Sequence, residues 1–351
     1  MRRKSKVIKI NGCLIGGDNP VAVQSMLNTK TDDIESSCRQ IDGLLSAGCD
    51  IIRFAVPDID SAKSVYEYKT RYPSVPFVAD IHFDHRIALA CIEAGIDKIR
   101  INPGNIGSDG GVAAVAAAAK KKNIPIRIGV NGGSLEKHIL QKYGSPVPEA
   151  LAESALYHAS LLEKFYFDNI VISVKSSDVK NMIAANRIIA EKCDYPLHLG
   201  ITEAGTMKQG TIKSAVGIGS LLCDGIGDTI RISLTDDPVN EVKAAKELLD
   251  ALGMTDNRIT VISCPTCGRT NIDLIKLCDE FDRIKNELKP SRKIKVALMG
   301  CAVNGPGEAR ECDIGIAGGK NEALLFKNGE PLFKVPYENI LKILKEEINK
   351  L

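Results

Sequence analysis

The chain has 351 residues, enough for one large domain and a smaller one, and its 44% hydrophobic content supports a substantial core. Forty-six basic residues against 44 acidic ones leave a formal net charge of +2, so no strong basic field argues for a nucleic-acid partner. No apolar run approaches the length of a membrane span, and Met1-Arg-Arg-Lys-Ser-Lys6 has no apolar core behind it, so neither a membrane nor an export signal is expected.

In chain order, short apolar runs predict strands at Val21–Met26, Ile51–Val56, Phe77–Ala79, Lys98–Ile101, Ile126–Val130, Ile170–Val174, Leu197–Ile201 and Thr229–Leu234. Helical spacing lies between them, at Ser36–Ala47, Ser61–Tyr72, Ala113–Lys122, Glu149–Phe165, Val179–Cys193, Lys213–Leu222 and Val239–Leu252. Alternating strand and helix implies a parallel sheet, and eight units predict an α/β fold with an eight-stranded (β/α)8 TIM-type barrel over residues 1–253. The rival is an open doubly wound sheet, but no Gly-x-Gly-x-x-Gly turn follows the first strand. Gly217-Ile-Gly219 falls within a late helix, where close helix packing explains it.

Gly253-Met-Thr-Asp-Asn257 is short, polar and turn-prone, which places a domain boundary there. Residues 258–351 then predict a small α+β domain. Its strands are Thr260–Ser263, Lys293–Met299, Asp313–Ala317, Ala323–Phe326 and Pro331–Val335. Its helices run from about Asn271 to Leu288 and onward from Tyr337. Asn328-Gly329 is a strong hairpin signal.

In such barrels chemistry sits at the C-terminal ends of the strands. Those ends carry Gln24, Arg53, Asp80, His82, Arg100, Asn102, Arg127, Asn131, Lys175, Thr202, Glu203, Arg231 and Ser233. Arginine inside an apolar strand is costly unless something negative meets it, and guanidinium forks suit phosphate oxygens. Arg53, Arg100, Arg127 and Arg231 together therefore point to a small, multiply phosphorylated substrate. The competing reading is a rim network in which these arginines pair with Asp80, Glu203 or Asp224. Glu203 has small neighbours that leave room for a substrate. It is either a general acid or a carboxylate that clamps an arginine. His82 and His85 read as loop residues rather than metal ligands, and His198 as a hydrogen-bonded interior histidine.

Eleven cysteines without an export signal suggest a reducing cytosol and mostly free thiols. Cys49, Cys91, Cys193, Cys223 and Cys278 read as small core residues, and Cys13 and Cys38 have no assignment. Cys264-Pro-Thr-Cys267 differs, because a two-residue gap lets two thiolates grip one metal centre from a single turn. Cys301 follows another strand and opens Gly-Cys-Ala-Val-Asn-Gly-Pro-Gly-Glu308. Chemistry leaves two candidates for a fourth ligand. Cys312 would make a closed four-thiolate site, and Glu308 a labile corner. Structural zinc is the bland alternative to an iron–sulfur cluster.

Ala79-Asp-Ile-His-Phe-Asp84, Arg100-Ile-Asn-Pro-Gly-Asn105, Arg127-Ile-Gly-Val-Asn131, His198-Leu-Gly-Ile-Thr-Glu-Ala-Gly205, Gly225-Ile-Gly-Asp-Thr229, Cys264-Pro-Thr-Cys267 and Asn304-Gly-Pro-Gly-Glu308 follow in order. Together they closely resemble the 4-hydroxy-3-methylbut-2-en-1-yl diphosphate synthases of the methylerythritol phosphate route to isoprenoids, in their two-domain bacterial form. The resemblance implies a 4Fe–4S cluster on Cys264, Cys267, Cys301 and Glu308. It implies reductive ring opening of 2-C-methyl-D-erythritol 2,4-cyclodiphosphate, with electrons from flavodoxin or ferredoxin. Arg53, Arg100, Arg127 and Asn131 match its substrate-binding positions, and Lys213 and Arg231 are further carry-overs. Glu203 matches its essential acid, with Glu308 as the exchangeable ligand, so both are expected to be catalytic. A head-to-tail homodimer in the cytoplasm is also implied. Two other classes compete: a phosphate-binding barrel enzyme of aldolase or pterin-synthase type with a zinc appendage, and a non-catalytic iron–sulfur sensor.

Overall fold

The structure, a computed structural model, describes residues 2–102, 105–106, 108–301 and 311–351. The chain forms two compact units, Met1–Thr255 and Asp256–Leu351.

The first unit opens with a hairpin that the apolar runs do not predict, β1 (Ile8–Ile10) and β2 (Cys13–Ile15), paired antiparallel with Ile10 opposite Cys13. Asn11-Gly12 forms its two-residue turn, with Asn11 at φ 52°, and is the signal the apolar runs hide. Eight parallel strands follow: β3 (Ala22–Met26), β4 (Ile51–Ala55), β5 (Phe77–Asp80), β6 (Lys98–Ile101), β7 (Ile126–Asn131), β8 (Ile170–Lys175), β9 (His198–Leu199) and β10 (Thr229–Ile230). Their order is β8-β7-β6-β5-β4-β3-β10-β9, and a single parallel bridge, Ile172–Leu197, joins the two ends into a nearly closed barrel.

Alternation along each strand divides the side chains. Ile52, Phe54, Ile99, Ile101, Ile126 and Ile128 face the helices and form the main core. Ile51, Val78 and Val171 face inward near the strand starts, where Ile8, Ile10 and Ile15 of the hairpin pack on them and plug the barrel floor. Cys13 joins this cluster. The inward positions above the plug are charged, as described below.

β9 and β10 are shorter than the apolar runs suggest. Both chains leave the ladder at the rim, where a Cβ on Gly200 would stand 2.7 Å from the Arg231 carbonyl oxygen. The expected helix over Ser61–Tyr72 breaks at Lys63 into Ile59–Ala62 and Ser64–Arg71. Helices His85–Glu93 and Lys137–Tyr143 were not anticipated. Asp84 caps the first by accepting from the Arg86 N–H, which makes His85 an ordinary first-turn residue. Gly217 lies in helix Met207–Cys223 against Ile201 and Met182, and a Cβ there would stand 2.8 Å from each, so close packing does explain it. Cys49 and Cys91 are buried as expected, but Cys223 is exposed at the end of its helix, a correction to its core reading. Cys38 is buried on helix Ile34–Ser46.

The second unit is a five-stranded sheet in sequential order: β11 (Ile259–Ser263), β12 (Ile294–Met299), β13 (Ile314–Gly318), β14 (Glu322–Lys327) and β15 (Glu330–Pro336). β11–β12 and β12–β13 pair parallel, and the remaining pairs are antiparallel. Helices Leu274–Ile284 and Ile340–Ile348 cover one face, with Leu277, Phe281, Leu344 and Ile348 on Val296, Leu298 and Ile316. Asn328 and Gly329, at φ 51° and 82°, turn Lys327 onto Glu330, as their sequence predicts. Among the described residues, no helix is long and apolar enough to cross a membrane.

Candidate active site: a cationic cavity and a cysteine edge

At the C-terminal end of the barrel, inward side chains from β4, β6, β7 and β8 and from the segment after β10 line a cavity of about 150 Å³. Arg53, Arg100, Arg127, Lys175 and Arg231 supply five cations, and Asn131, Ser173, Thr202 and Ser233 supply neutral polar groups.

Only part of the rim network is internal. Asp80 on β5 accepts from Arg53 Nη2 at 2.5 Å and from Arg100 Nη1 at 3.2 Å. Asp80 is buried, which by itself favours the neutral acid, but Arg53, a hydrogen bond from His82 and Arg100 hold its carboxyl well below the usual range. Arg100 also reaches His82 Nε2 at 2.9 Å and donates to the Gly129 carbonyl at 3.1 Å. Arg231 lies 3.3 Å from Glu241 Oε2. Glu241, on helix Pro238–Ala251, also takes the Ser25 hydroxyl and the Leu234 N–H. Asp224 serves Arg187 instead.

Among the described residues, Arg127 and Lys175 have no such partner. Arg127 is 1% exposed, and its Nε has no hydrogen-bond partner among the described residues. Burial, then its neighbours Arg53 and Arg100, pushes its guanidinium well below its ordinary value. Burial and the arginines Arg231, Arg127 and Arg53 do the same to the Lys175 ammonium. Cations held so against their preference would be relieved by an anion.

Close approach requires Gly129. A Cβ there would stand 2.7 Å from Arg100 Nη2 and 2.9 Å from Arg100 Cζ, in a guanidinium already fixed by Asp80. Gly129→Ala is therefore expected to displace Arg100 and weaken anion binding by at least about tenfold, the loss of roughly one charge-assisted hydrogen bond. Calorimetric titration with the anion, beside a melting curve that reports the fold, checks this.

Glu203 is exposed in the loop after β9, at φ 54°, a region uncommon for any residue but glycine. Its neighbour Thr202 lines the cavity, and Thr202 N–H bonds the Ser176 carbonyl. Glu203 clamps no arginine among the described residues. Lys213 sits on helix Met207–Cys223 and does not line the cavity. His85 packs against Gly111. His198 is fully buried with Nδ1 2.8 Å from Thr229 Oγ1, the interior histidine that was expected. The sequence reading named Lys175 only as a rim residue and did not name Glu241. Nothing in the spacing of helix Val239–Leu252 marks an acid that turns back to the rim.

In the second unit, β11 and β12 pair in parallel with Ser263 opposite Leu298. Cys264 and Cys301 therefore leave adjacent strands at the same edge of the sheet. Cys264 Sγ accepts the Gly300 N–H at 3.2 Å. Cys267 opens a turn closed by Thr270, and the Asn271 N–H returns to the Gly300 carbonyl at 2.9 Å. A Cβ on Gly300 would stand 2.8 Å from Thr270 Cγ2, so this glycine lets the two cysteine segments meet. The Arg269 backbone N–H draws the exposed Cys267 thiol below its ordinary value, toward thiolate. Cys312 instead packs among Ala297, Met299 and Phe326, and burial raises its thiol.

Glu308 lies outside the described residues. Among the described residues no three His, Cys, Asp or Glu side chains stand close enough to hold one metal ion. Donor chemistry still separates the cysteines. Cys264 and Cys267 carry N–H-supported sulfur and suit a soft metal centre, whereas Cys312 is an inert core thiol.

Comparison with known proteins agrees with both halves. Models described as the GcpE TIM-barrel domain and the GcpE protein C-terminal domain match residues 5–246 and 260–350. Relatives from Fusobacterium nucleatum subsp. nucleatum and Clostridium acetobutylicum are 55% and 56% identical; each match spans 100% of this chain, and 98% and 99% of the relative. One from Caldanaerobacter subterraneus subsp. tengcongensis is 56% identical over 100% of this chain and 98% of its own. All three are known as 4-hydroxy-3-methylbut-2-en-1-yl diphosphate synthase (flavodoxin). Among solved structures, the dihydropteroate synthase from Xanthomonas albilineans is 13% identical, with a TM-score of 0.51 over 71% of this chain and 98% of that one. That likeness shows the barrel fold alone. Because the relatives match across the barrel, the cysteine edge and the segment between them, the chain belongs to the GcpE family.

Proposed function

We propose that the chain is an iron–sulfur oxidoreductase that opens 2-C-methyl-D-erythritol 2,4-cyclodiphosphate reductively to 4-hydroxy-3-methylbut-2-enyl diphosphate. It belongs on the methylerythritol phosphate route to isoprenoids, with flavodoxin as the donor its relatives' name suggests and ferredoxin as the alternative. The observation that carries this reading is the cavity with five cations, two of them without an acidic partner among the described residues, in a family whose relatives bear that synthase name.

Arg53, Arg100, Arg127 and Arg231, with Asn131, bind the two phosphates, and Asp80 and Glu241 hold three of the four guanidiniums in position. Lys175 adds a charge that rises toward the ammonium form as the anion arrives. Lys213 contributes from outside the cavity. Cys264, Cys267, Cys301 and Glu308 would hold a 4Fe–4S cluster, which when bound supplies electrons one at a time. The balance is a dianionic ring plus two electrons and one proton, giving a trianionic linear diphosphate and water. One ring C–O bond to phosphate breaks, a C–O bond to hydroxyl breaks, and the carbon–carbon double bond forms. Glu203 holds the proton that leaves with the hydroxyl. Two copies work head to tail in the cytoplasm.

Purification without oxygen, followed by iron, sulfide and zinc analysis and a turnover assay on the cyclodiphosphate, tests this. About four irons and four sulfides per chain are expected. Stoichiometric zinc without sulfide after iron–sulfide reconstitution would sink the reductase reading. Cys267→Ser is expected to lose the visible absorbance and all turnover while keeping calorimetric binding of the cyclodiphosphate, because the thiol and the cationic cavity belong to different units.

A further inference from the structure

Below the cavity the barrel interior holds basic groups that no carboxylate answers among the described residues. β6 turns Lys98 inward, where it is 0% exposed and its Nζ has no hydrogen-bond partner among the described residues. β9 turns His198 inward, with Nε2 equally unpartnered while Nδ1 meets Thr229. Neither residue lines the cavity; Arg127 faces both and does line it. The charged and titratable groups facing Lys98 are Arg127 from β7, Arg53 from β4, His198 from β9 and Cys13 from the floor hairpin. Those facing His198 are Arg127, Lys175, Lys98 and Arg53.

Among the described residues the nearby carboxylates are already engaged. Asp80 is shared by Arg53 and Arg100, and Glu241 holds Arg231. Burial, then Asp50, raises the Cys13 thiol, so it stays neutral near neutral pH. Burial and the neighbouring cations press Lys98 and His198 toward their uncharged forms.

We propose that Lys98, with His198 beside it, is an internal proton site that loads when a multiply charged anion enters the cavity above. An anion on Arg127 and Arg53 cancels the repulsion that keeps a proton off Lys98, and in this buried setting solvent screens little of that change. Linkage makes the effect reciprocal, so the loaded proton tightens anion binding. Affinity should therefore fall as pH rises, by up to about tenfold per pH unit for one linked proton. The inference deepens the proposed function and rests on its cationic cavity. The reaction adds one negative charge to the bound molecule, so the need for a charged interior grows as it proceeds.

The test is calorimetric titration of the anaerobically purified, cluster-loaded protein at about pH 8, in two buffers of different ionisation enthalpy. The probes are the cyclodiphosphate and trimetaphosphate, whose acidic groups do not titrate near that pH. Proton uptake is expected that exceeds the share of Lys175 by about one proton per anion, and that excess should be lost in Lys98→Met. Binding without proton uptake, or uptake unchanged in Lys98→Met, overturns the proposal. If Lys98→Met does not fold, lysine ¹³Cε spectra of the wild-type protein decide. With Lys175→Met assigning the other interior lysine, the Lys98 resonance should move from the neutral to the charged position on adding trimetaphosphate, and a resonance that stays put overturns it. Proton-linked binding of trimetaphosphate but no binding of the cyclodiphosphate keeps this inference and rejects the substrate reading. Binding of neither rejects both.

Discussion

Glu203→Gln is expected to lower kcat by about 10²–10⁴-fold, the usual contribution of a positioned general acid. Iron content, visible spectrum and cyclodiphosphate binding should stay those of the wild type, because Glu203 is exposed and, among the described residues, pairs with none of the cavity arginines. Its backbone sharpens the test. At φ 54° the residue sits where glycine is at ease and others cost on the order of 1 kcal/mol. Glu203→Gly should therefore raise the melting temperature by a few degrees while turnover collapses as in the glutamine variant. A residue kept in a strained conformation for its carboxyl predicts these opposite signs, whereas a merely structural one predicts that stability and activity move together. Full turnover in the glutamine variant would remove Glu203 from the chemistry.

Asp80→Asn should be the most damaging single change to the barrel. One buried carboxylate holds Arg53 and Arg100 and meets His82, so its loss leaves two guanidiniums facing each other without a counter-charge. Breaking such a buried arrangement costs about 3–5 kcal/mol. Denaturant unfolding would measure this, with cyclodiphosphate expected to restore part of the loss by supplying negative charge in place of Asp80. The pH dependence follows in sign. The folded-state pKa of Asp80 lies well below its unfolded value, so its contribution is complete above about pH 4 and is lost as pH falls through the folded value. The wild-type protein should therefore lose stability more steeply than Asp80→Asn in that acid range. Parallel curves would show that Asp80 does not carry the network.

Much of this was legible in the chain. Eight apolar runs alternating with helical spacing specify a parallel barrel because strand and helix periods are local properties of sequence. The arginines at alternating strand positions could be assigned to the interior for the same reason: a residue two places from an inward isoleucine, as Arg53 is from Ile51, must also face inward. The two-residue spacing of Cys264-Pro-Thr-Cys267 suggested a soft metal site. The floor hairpin was missed because three-residue strands leave almost no periodicity, although Asn11-Gly12 marked its turn.

Other properties exist only in three dimensions. Whether the arginines needed an external anion depended on which carboxylates reach them. Asp80 does so across two strand pairings, and Glu241 reaches Arg231 and Ser25 from a helix, 216 positions after Ser25 in the chain. That account leaves Arg127, Lys175 and Lys98 without a counter-charge among the described residues, which no local pattern could reveal. The strain at Glu203 and the close approach at Gly129 are likewise set by chain segments that meet only after folding. Sequence determined which residues face the barrel interior, since side-chain direction follows from a two-residue period. Tertiary structure decided which of those charges are compensated among the described residues and which are not, since electrostatic balance depends on distances between residues far apart in the chain.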